Sequence, residues 1–380
     1  MIATAENVQA AAGSLTINGR FLTQSVTGVQ RYAHEVVAAL DALAGRDPSL
    51  RIRILTPRLG GPIPRYRHLT HQVVGRFQGH LWEQLELPRH VGDDVLFCPG
   101  NTAPVALLWS GARVVVTVHD LSYLYFPKAY SRSFRLLYNF VMPQVLKFAS
   151  RILTVSEAER AAIVRHYPLA RGRIAAVQNG GLPADSPPVQ PAEADEPFVL
   201  YVGSLSKRKN FVAMFEVAKV LASKRALKFV FVGGVSESLR ESVVAVPDSI
   251  RDRLQFLGEV DDWNTLSDYY RRASCFFFPS LYESSGLPPV EAMGCGCPVV
   301  AAAIPALEER CGDAAEYCDP RSVGDMVRAI ELVIDDSDVS GRLRAAGYAR
   351  ARQFTWQRCA VESLAQIRAA SARTRSGADR

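Results

Sequence analysis

The sequence predicts an α/β protein with two Rossmann-like domains whose parallel sheets face each other across a cleft. The chain has 380 residues, and a single hydrophobic core stops growing at about 250 to 300 residues. Short apolar runs bounded by turn residues alternate with helical stretches in both halves. This alternation is typical of parallel strands joined by crossover helices. A hydrophobic content of 48% and a charged content of 22% exclude disordered and fibrous classes.

The first domain is predicted to span residues 1–182. Four apolar runs are expected to form its strands, at residues 51–55, 94–98, 113–118 and 151–155. A segment rich in proline and small polar residues, 183–197, follows and offers little that can pack. We therefore interpret it as a linker.

The second domain is predicted to span residues 198–355. Five further apolar runs are expected to form its sheet, at residues 198–202, 228–232, 254–257, 275–278 and 298–301. Residues 356–380 are expected to form a C-terminal helix that crosses back to the first domain, followed by a tail. Open α/β sheets bind ligands beyond the carboxyl ends of their strands, so the site is expected in the cleft.

The most informative motif lies directly after the apolar run 275–278. Glu283 and Glu291 have seven residues between them, with a Gly-Leu-Pro-Pro bend in that interval. This predicts a strand, a loop and the start of a helix whose N-terminal amides point back at the loop. Carboxylates accept hydrogen bonds from hydroxyls, and helix-end amides attract phosphate, so the segment suits a sugar attached to a diphosphate. The alternative is a polar turn with solvated glutamates.

Three other loops either follow the end of a predicted strand or precede a predicted helix. The segment 203–210 places Lys207, Arg208 and Lys209 at a helix start, where a bound diphosphate would offset the repulsion by the helix dipole. His119 and Asp120 end the strand 113–118, a position where a histidine can act in catalysis. Gly28 opens an amphipathic helix and would let a ligand approach the backbone closely. The alternatives are an exposed basic turn and a structural histidine.

Taken together, these segments resemble a retaining glycosyltransferase of family 4, which has the two-domain GT-B architecture. The strongest match is residues 278–300, which contain the Glu-x7-Glu signature and the small-residue helix after it. The segments around Gly28, His119 and Lys209 follow the order of the family. Two stretches, Ile17 to Phe21 and Cys98 to Pro104, also look like bacterial mannosyl- or rhamnosyltransferases.

The resemblance implies a role for each matching residue. Glu283 would contact the donor sugar, the amides of Ser285, Gly286 and Leu287 would bind its hydroxyls and the diphosphate, and Glu291 would hold the ribose. Lys209, with Arg208, would neutralise the leaving diphosphate, and His119 would lie near the reacting centre. One position departs from the family: Ser204 follows the glycine of the phosphate loop, where many members carry arginine.

No metal or other cofactor is expected beyond the nucleotide-sugar co-substrate. The seven cysteines are scattered from Cys98 to Cys359, and Cys295 and Cys297 lack the two-residue spacer of zinc and redox sites. The Asp336-Ser337-Asp338 triplet matches the Asp-x-Asp pattern of metal-dependent transferases, but lies in a polar segment between predicted helices. We interpret it as surface.

The charge distribution indicates an anionic partner for the first domain. The net charge is +9 in residues 1–182 and −3 in residues 183–380. Basic and aromatic residues are interspersed between Lys128 and Arg151, which predicts amphipathic helices before and after Pro143 that dock on an anionic membrane. The alternative is that the apolar face belongs to the core and the cations form its solvated side. A nucleic-acid partner is not expected, because no such motif occurs. With no signal peptide or membrane-spanning run in the sequence, the protein is expected in the cytoplasm, on the inner face of the membrane.

The resemblance implies an enzyme that moves a hexose, mannose from GDP-mannose, onto a polyprenyl-diphosphate-linked saccharide during exopolysaccharide or lipopolysaccharide assembly. The first domain would bind the acceptor, and the second would bind the nucleotide sugar. Two alternatives stay open. A nucleotide-sugar epimerase uses the same architecture, and a non-catalytic nucleotide-sugar-binding protein would retain the ligand site without turnover.

Overall fold

The chain forms two compact units in a computed structural model that describes residues 14–61, 65–183, 192, 196–234 and 248–372. The first unit contains Met1–Asn179 and Trp356–Arg380, and the second contains Gly180–Thr355. The chain therefore passes between the units twice, after Asn179 and after Thr355. Most of the predicted linker, 184–191 and 193–195, lies outside the described residues, as does the N-terminal segment 1–13.

The first unit contains a seven-stranded parallel sheet in the order β3-β2-β1-β4-β5-β6-β7. Its strands are β1 (Leu15–Asn18), β2 (Ile52–Thr56), β3 (Thr70–Val73), β4 (Val95–Cys98), β5 (Val114–Thr117), β6 (Arg151–Thr154) and β7 (Ile174–Ala176). The α-helices are Gly28–Ala44, Gly79–Leu81, Pro88–Val91, Val105–Trp109, Ser122–Tyr125, Arg132–Phe148, Glu157–His166 and Trp356–Ala372. Short 3₁₀ turns span Gly19–Thr23, Pro127–Ala129 and Pro168–Ala170, and a π-helix spans Trp82–Glu86.

The second unit contains a six-stranded parallel sheet in the order β10-β9-β8-β11-β12-β13. Its strands are β8 (Phe198–Val202), β9 (Lys228–Val232), β10 (Leu254–Gly258), β11 (Cys275–Phe278), β12 (Val299–Ala302) and β13 (Ala315–Cys318). The α-helices are Phe211–Lys224, Trp263–Arg272, Leu287–Gly294, Pro305–Cys311, Val323–Asp335 and Ser337–Ala351, with 3₁₀ turns at Asp248–Arg253 and Gly312–Ala314.

Both sheets have strands that are buried on two faces. All four residues of β5 and of β11 are buried, as expected for strands covered by crossover helices on both sides. Rich in valine and phenylalanine, these strands form the centre of each core. The predicted fold class of two parallel-sheet Rossmann-like units is confirmed.

The strand order in each sheet changes direction at one place. In the first unit β1 lies beside β4, with β2 and β3 on one side and β5 to β7 on the other. In the second unit β8 lies beside β11 in the same way. At such a switch point the loops that follow the two adjacent strands leave in opposite directions and open a crevice. The residues after β1, β4, β8 and β11 are therefore placed to bind ligands.

The C-terminal helix Trp356–Ala372 belongs to the first unit, where it packs on the helix Gly28–Ala44. The indole of Trp356 is buried, and its ring centroid lies 6.1 Å from that of Tyr32. Ile367 and Ala370 are also buried. This helix therefore contributes to the core of the first unit, although it is distant in sequence.

The prediction of separate helices before and after Pro143 is wrong. One helix, Arg132–Phe148, continues through Pro143. Proline removes one backbone donor from a helix, but flanking residues Met142, Val145 and Leu146 are buried against the core. Their burial favours the helical path, so packing overrides the local preference.

Candidate active site

The switch point of the second sheet holds a buried ion pair between Lys209 and Glu283. The Lys209 ammonium donates to Oε1 of Glu283, and only 11% and 8% of the two side chains are exposed. Lys209 lies in the loop after β8, and Glu283 in the loop after β11. The pair thus joins the two loops that the strand order makes adjacent, although 74 residues separate them in sequence.

The loop that carries Lys209 is fixed by its neighbour Asn210. Asn210 has a left-handed backbone conformation, with φ of 63°, which asparagine tolerates better than most residues. Its buried side-chain amide donates to the carbonyls of Pro279 at 3.1 Å and Pro320 at 2.6 Å. The ammonium of Lys209 also lies 4.8 Å from the centroid of the Phe278 ring. These contacts hold Lys209 at the end of β11.

Arg208 is half-buried beside Lys209. Its backbone carbonyl accepts a hydrogen bond from the amide of Leu281 at 3.1 Å, so this contact also ties the basic loop to the loop after β11. Ser204, the position that departs from the family, is exposed. Its carbonyl accepts a hydrogen bond from the hydroxyl of Tyr201 at 3.0 Å.

The loop Ser285, Gly286 and Leu287 leads into the helix Leu287–Gly294. Gly286 has a φ of +72°, and a Cβ there would meet Cδ2 of Leu307 at 2.7 Å. A side chain at this position would therefore be both strained and crowded. Two prolines follow at the helix start, where their missing N–H groups cost nothing. The N-terminal end of this helix favours negative charge.

Glu291 lies within the same helix, and its side chain is buried, with 1% exposure. The hydroxyl of Tyr270 donates to its Oε2 at 3.0 Å. Tyr270 is itself fully buried in the helix Trp263–Arg272. Glu291 is thus held in one orientation by a partner that the sequence did not indicate.

His119 lies in the first unit, two residues after the end of β5, and is buried with 5% exposure. Its Nε2 lies 2.8 Å from the carbonyl oxygen of Pro99. Because a carbonyl only accepts hydrogen bonds, Nε2 carries the proton and Nδ1 is the acceptor. Burial lowers the pKa of the imidazole, more than the Pro99 bond and the Asp120 charge raise it. His119 is therefore neutral at pH 7. Its ring meets that of Tyr32 edge-on at 4.7 Å.

Gly28 begins the helix Gly28–Ala44 in the first unit. A Cβ at Gly28 would meet no atom within 4 Å among the residues that the structure describes. Internal packing there does not demand glycine. The capping residue Thr27 donates its amide to Oε1 of Gln30 at 3.3 Å, which fixes the helix start.

The structure thus brings Lys209, Arg208, Glu283 and the Ser285 to Leu287 loop together in the second unit. His119 and Gly28 belong to the first unit. Sequence reasoning missed two residues that hold this site, Asn210 and Tyr270. Asn210 follows the basic triplet, and asparagine before a helix is a signal for a special backbone conformation. No local signal indicated Tyr270.

Two family models match the chain, one over most of the first parallel sheet and the other over the second. Residues 26–180 match the model described as Glycosyltransferase Family 4, and residues 184–352 match the model described as Glycosyl transferases group 1. Together these ranges account for most of the chain. The chain belongs to glycosyltransferase family 4.

Curated relatives of this family 4 glycosyltransferase include proteins named for O-antigen synthesis. The O-antigen chain mannosyltransferase B of Escherichia coli is 29% identical over 265 residues, which cover 66% of this chain and 69% of that protein. The O-antigen chain mannosyltransferase RfbU of Salmonella typhimurium is 27% identical over 205 residues, 54% of this chain. The match spans 56% of the Salmonella protein, just over half its length.

Solved structures share the GT-B fold of this glycosyltransferase. A sucrose-phosphate synthase from Thermosynechococcus elongatus superposes with a TM-score of 0.73 at 20% identity, covering 94% of this chain and 98% of that one. WaaG, a glycosyltransferase involved in lipopolysaccharide biosynthesis, gives a TM-score of 0.69 at 16% identity, covering 93% and 99%. At these identities the likeness shows the fold alone.

One aspartate of each of two acidic pairs, Asp336 with Asp338 and Asp262 with Asp261, caps a helix. Asp336 accepts hydrogen bonds from the amides of Asp338 at 2.9 Å and Val339 at 3.1 Å. Asp262 caps the helix Trp263–Arg272 through the amide of Thr265 at 2.8 Å. Across the described ranges, no three His, Cys, Asp or Glu side chains cluster as a metal site requires. Nor does any described helix have the length and apolar character to cross a membrane.

Proposed function

We propose that this protein is a retaining mannosyltransferase that transfers mannose from GDP-mannose to a polyprenyl-diphosphate-linked saccharide in exopolysaccharide or lipopolysaccharide assembly. The observation that carries the proposal is the Lys209 and Glu283 pair at the switch point of the second sheet. The names of the Escherichia coli and Salmonella relatives support mannose as the sugar. Relatives named D-inositol 3-phosphate glycosyltransferase also match, so the experiment compares GDP-mannose with other nucleotide sugars.

In the proposed reaction, the bond between the sugar C1 and the diphosphate oxygen breaks as the acceptor hydroxyl oxygen bonds to C1 on the same face. The acceptor hydroxyl proton passes to the leaving diphosphate or to solvent. Negative charge develops on the diphosphate, and preorganised cations and helix-end amides stabilise such charge without moving. Lys209 supplies the cation, and the Ser285 to Leu287 amides supply the dipoles.

Glu283 has two roles in this proposal. It holds the Lys209 ammonium in place, and its carboxylate accepts hydrogen bonds from the donor sugar. An ammonium has three N–H donors, so Lys209 can keep its bond to Glu283 while it donates to a phosphate oxygen. The ion pair therefore orients Lys209 without consuming its capacity to bind diphosphate.

The proposal is tested first by thermal shift with a panel of nucleotide sugars. A ligand at about 100 times its dissociation constant adds roughly 2.7 kcal/mol to the free energy of unfolding, so GDP-mannose is expected to raise Tm more than UDP-glucose does. Transfer to a synthetic lipid-linked saccharide, with the anomeric configuration of the product read by NMR, then tests retention. Epimerised nucleotide sugar without an acceptor would indicate an epimerase, and a Tm shift without turnover a binding protein.

We also propose that catalysis needs no metal ion. The proposed site supplies a cationic side chain and helix-end amides to the diphosphate, the roles that a divalent ion fills elsewhere. Transfer is therefore expected to continue at an unchanged rate in excess EDTA. Loss of activity that Mg²⁺ or Mn²⁺ restores would contradict this expectation and direct attention to Asp336, Asp338, Asp261 and Asp262.

Peripheral docking on an anionic membrane is the third element of the proposal, and the helix Arg132–Phe148 supports it. Tyr138, Val141 and Val145 on one face are buried in the core. On the other face Leu136 is 73% exposed and Phe140 is 53% exposed, beside the exposed cations Arg132 and Arg135. Exposed apolar and cationic side chains on one face match the headgroup and acyl boundary of an anionic bilayer.

Replacing Lys128, Arg132 and Arg135 together with serine is expected to weaken vesicle binding. Each cation near an anionic surface contributes about 1 kcal/mol, so the loss is on the order of 100-fold in partitioning. Sedimentation with phosphatidylglycerol-rich and pure phosphatidylcholine vesicles, at low and high salt, measures it. The matched control changes Arg51, Arg58 and Arg171, exposed cations of the same unit. Equal partitioning onto neutral vesicles, or equal loss in both triple variants, would reject this docking surface.

A further inference from the structure

The switch point of the first sheet also holds a buried ion pair, between a guanidinium and a carboxylate. Asn18 ends β1 and Cys98 ends β4, the two strands between which the strand order reverses. The Asn18 amide lies 3.6 Å from the sulfur of Cys98, so the two strand ends meet side by side. Ligands of open α/β sheets bind in the crevice at this place. The residues after these two strands are therefore candidates for a second binding site.

Arg20 and Glu83 form the ion pair at this position. Nε of Arg20 lies 3.2 Å from Oε1 of Glu83, and the side chains are 10% and 1% exposed. Nη2 of Arg20 donates to the hydroxyl of Thr102 at 3.1 Å, and that hydroxyl donates to Oε2 of Glu83 at 2.7 Å. The Asn18 amide donates to Oε1 of Glu83 at 2.7 Å. The guanidinium is thus held in a fixed orientation by the ends of both strands.

The backbone around Glu83 is unusual. Glu83 lies on the π-helix Trp82–Glu86, and π-helical turns are rare and often mark functional sites. The indole of Trp82 is buried and donates to the carbonyl of Val74 at 2.8 Å. The π-helix is therefore anchored by packing, and it directs Glu83 toward Arg20.

Arg20 retains hydrogen-bonding capacity for a ligand. A guanidinium has five N–H donors in a planar fork. Within the described part of the chain, the hydrogen bonds of Arg20 use Nε and Nη2. The side chain is 10% exposed, and its Nη1 can donate to a bound molecule.

The charge of the cluster indicates what kind of molecule fits. Burial alone raises the pKa of Glu83, but the Arg20 charge and hydrogen bonds from His80 and Thr102 lower it to about 2. Glu83 is therefore ionised and balances the guanidinium. Burial raises the pKa of the neighbouring Tyr138 to about 12, so this phenol adds no charge. The Lys209 and Glu283 pair lies beside Arg208 and a helix N-terminus, which favour a diphosphate. The Arg20 and Glu83 pair instead contacts the Asn18 amide, the Thr102 hydroxyl and the His80 ring, and this setting suits the neutral hydroxyls of a sugar.

The cluster shares one loop with His119. Arg20 binds Thr102 in the loop after β4, and the same loop supplies the Pro99 carbonyl and the Asn101 side chain. Oδ1 of Asn101 accepts a hydrogen bond from the backbone amide of His119 at 2.7 Å. A ligand held by Arg20 therefore lies beside the loop that positions His119.

We infer that Arg20, fixed by Glu83 and Thr102, binds hydroxyl groups of the acceptor saccharide. This inference rests on the proposed function and names the neutral sugar, rather than the lipid diphosphate, as the group recognised here. It also assigns a role to the two stretches that resemble mannosyl- or rhamnosyltransferases, Ile17 to Phe21 and Cys98 to Pro104. The hydrogen bond from Arg20 to Thr102 connects them.

The test is the Arg20→Lys variant, which keeps the charge beside Glu83 but loses the planar fork. The KM for octyl α-mannoside as acceptor is expected to rise roughly 10- to 100-fold, the range for losing a hydrogen bond from a charged donor. The KM for GDP-mannose and the inhibition constant of GDP are expected to stay unchanged. A purely structural role would change donor and acceptor constants together.

Arg53→Lys is the matched control. Arg53 contacts the carboxylate of Asp94 at 2.9 Å and the hydroxyl of Thr16 at 2.8 Å. Like Arg20, it therefore binds one carboxylate and one hydroxyl, but it does so near the N-terminal ends of β1 and β4. Its acceptor KM is expected to equal that of the wild type. If Arg20→Lys fails to fold, Thr102→Val removes one anchor of the guanidinium and is expected to raise the acceptor KM in the same selective way.

Direct binding separates this inference from the proposed function. Saturation-transfer NMR with α-linked mannobiose, without donor, is expected to show contacts in the wild type that disappear in Arg20→Lys. If the wild type transfers no sugar but shows this difference, the proposed function fails, and saccharide binding by Arg20 stands without the acceptor role. Equal mannobiose binding in both proteins, no binding by the wild type, or full competition by a lipid diphosphate without sugar would overturn the inference.

Discussion

Glu283→Gln is expected to lower turnover by at least ~10²-fold while the fold and much of the donor affinity remain. Losing one aligned electrostatic or acid-base group has this scale of effect. Glutamine has nearly the same shape, so its amide oxygen still accepts a hydrogen bond from Lys209. It carries no charge, however, and no longer balances the ammonium. The measurement is kcat for mannose transfer, with donor affinity from thermal shift.

The matched control for this variant is Glu216→Gln. Glu216 is exposed on the helix Phe211–Lys224 of the same unit and pairs with Lys219 at 2.7 Å. Exposed pairs of this kind contribute about 0–1 kcal/mol, so neither turnover nor Tm is expected to change. Near wild-type turnover in Glu283→Gln would remove Glu283 from the active site, whatever the control shows.

The central strands of both sheets follow from the sequence because they are strongly apolar. The predicted run 275–278 coincides with β11, and 228–232 coincides with β9. Among the residues that the structure describes, the strands β1, β3, β7 and β13 were missed. β3 reads Thr-His-Gln-Val and is largely exposed, and β7 has only three residues. Such strands form because a neighbouring strand supplies hydrogen-bond partners, a long-range effect that local composition does not reveal.

The sequence likewise predicted some features of the candidate site and missed others. The Glu283 loop and the basic triplet were visible as motifs, because both combine turn residues with charges next to a strand. Their direct contact was not, since 74 residues separate Lys209 from Glu283 and only the strand order brings them together. Arg20 and Glu83, 63 residues apart, were missed for the same reason. Which residue pairs with a buried charge depends on the strand order. The local pattern of apolar and polar residues does not determine that order.

The roles of His119 and Gly28 stay predictions. The imidazole of His119 fits a hydrogen-bonding role better than that of a cation, because burial lowers its pKa more than the Pro99 bond and the Asp120 charge raise it. The open space around Gly28 is compatible with close approach of a ligand.

Lys209→Met is expected to lower kcat/KM by at least ~10²-fold and to weaken inhibition by GDP, because one ammonium meets the diphosphate in both the ground state and the transition state. Methionine keeps an apolar stem of similar length against the Phe278 ring and removes the charge together with its N–H donors. The GDP inhibition constant and single-turnover rates measure the two effects separately.

The variant also leaves Glu283 buried without its cation, which destabilises the fold by removing one partner of a buried pair. The double variant Lys209→Met with Glu283→Gln removes both charges, so its Tm is expected to lie above that of Lys209→Met alone while activity stays low. Lys207→Met, an exposed cation two residues away, is the control for general loss of positive charge in the loop. If GDP inhibits Lys209→Met as strongly as the wild type, Lys209 does not bind the diphosphate, and the ion pair with Glu283 is structural.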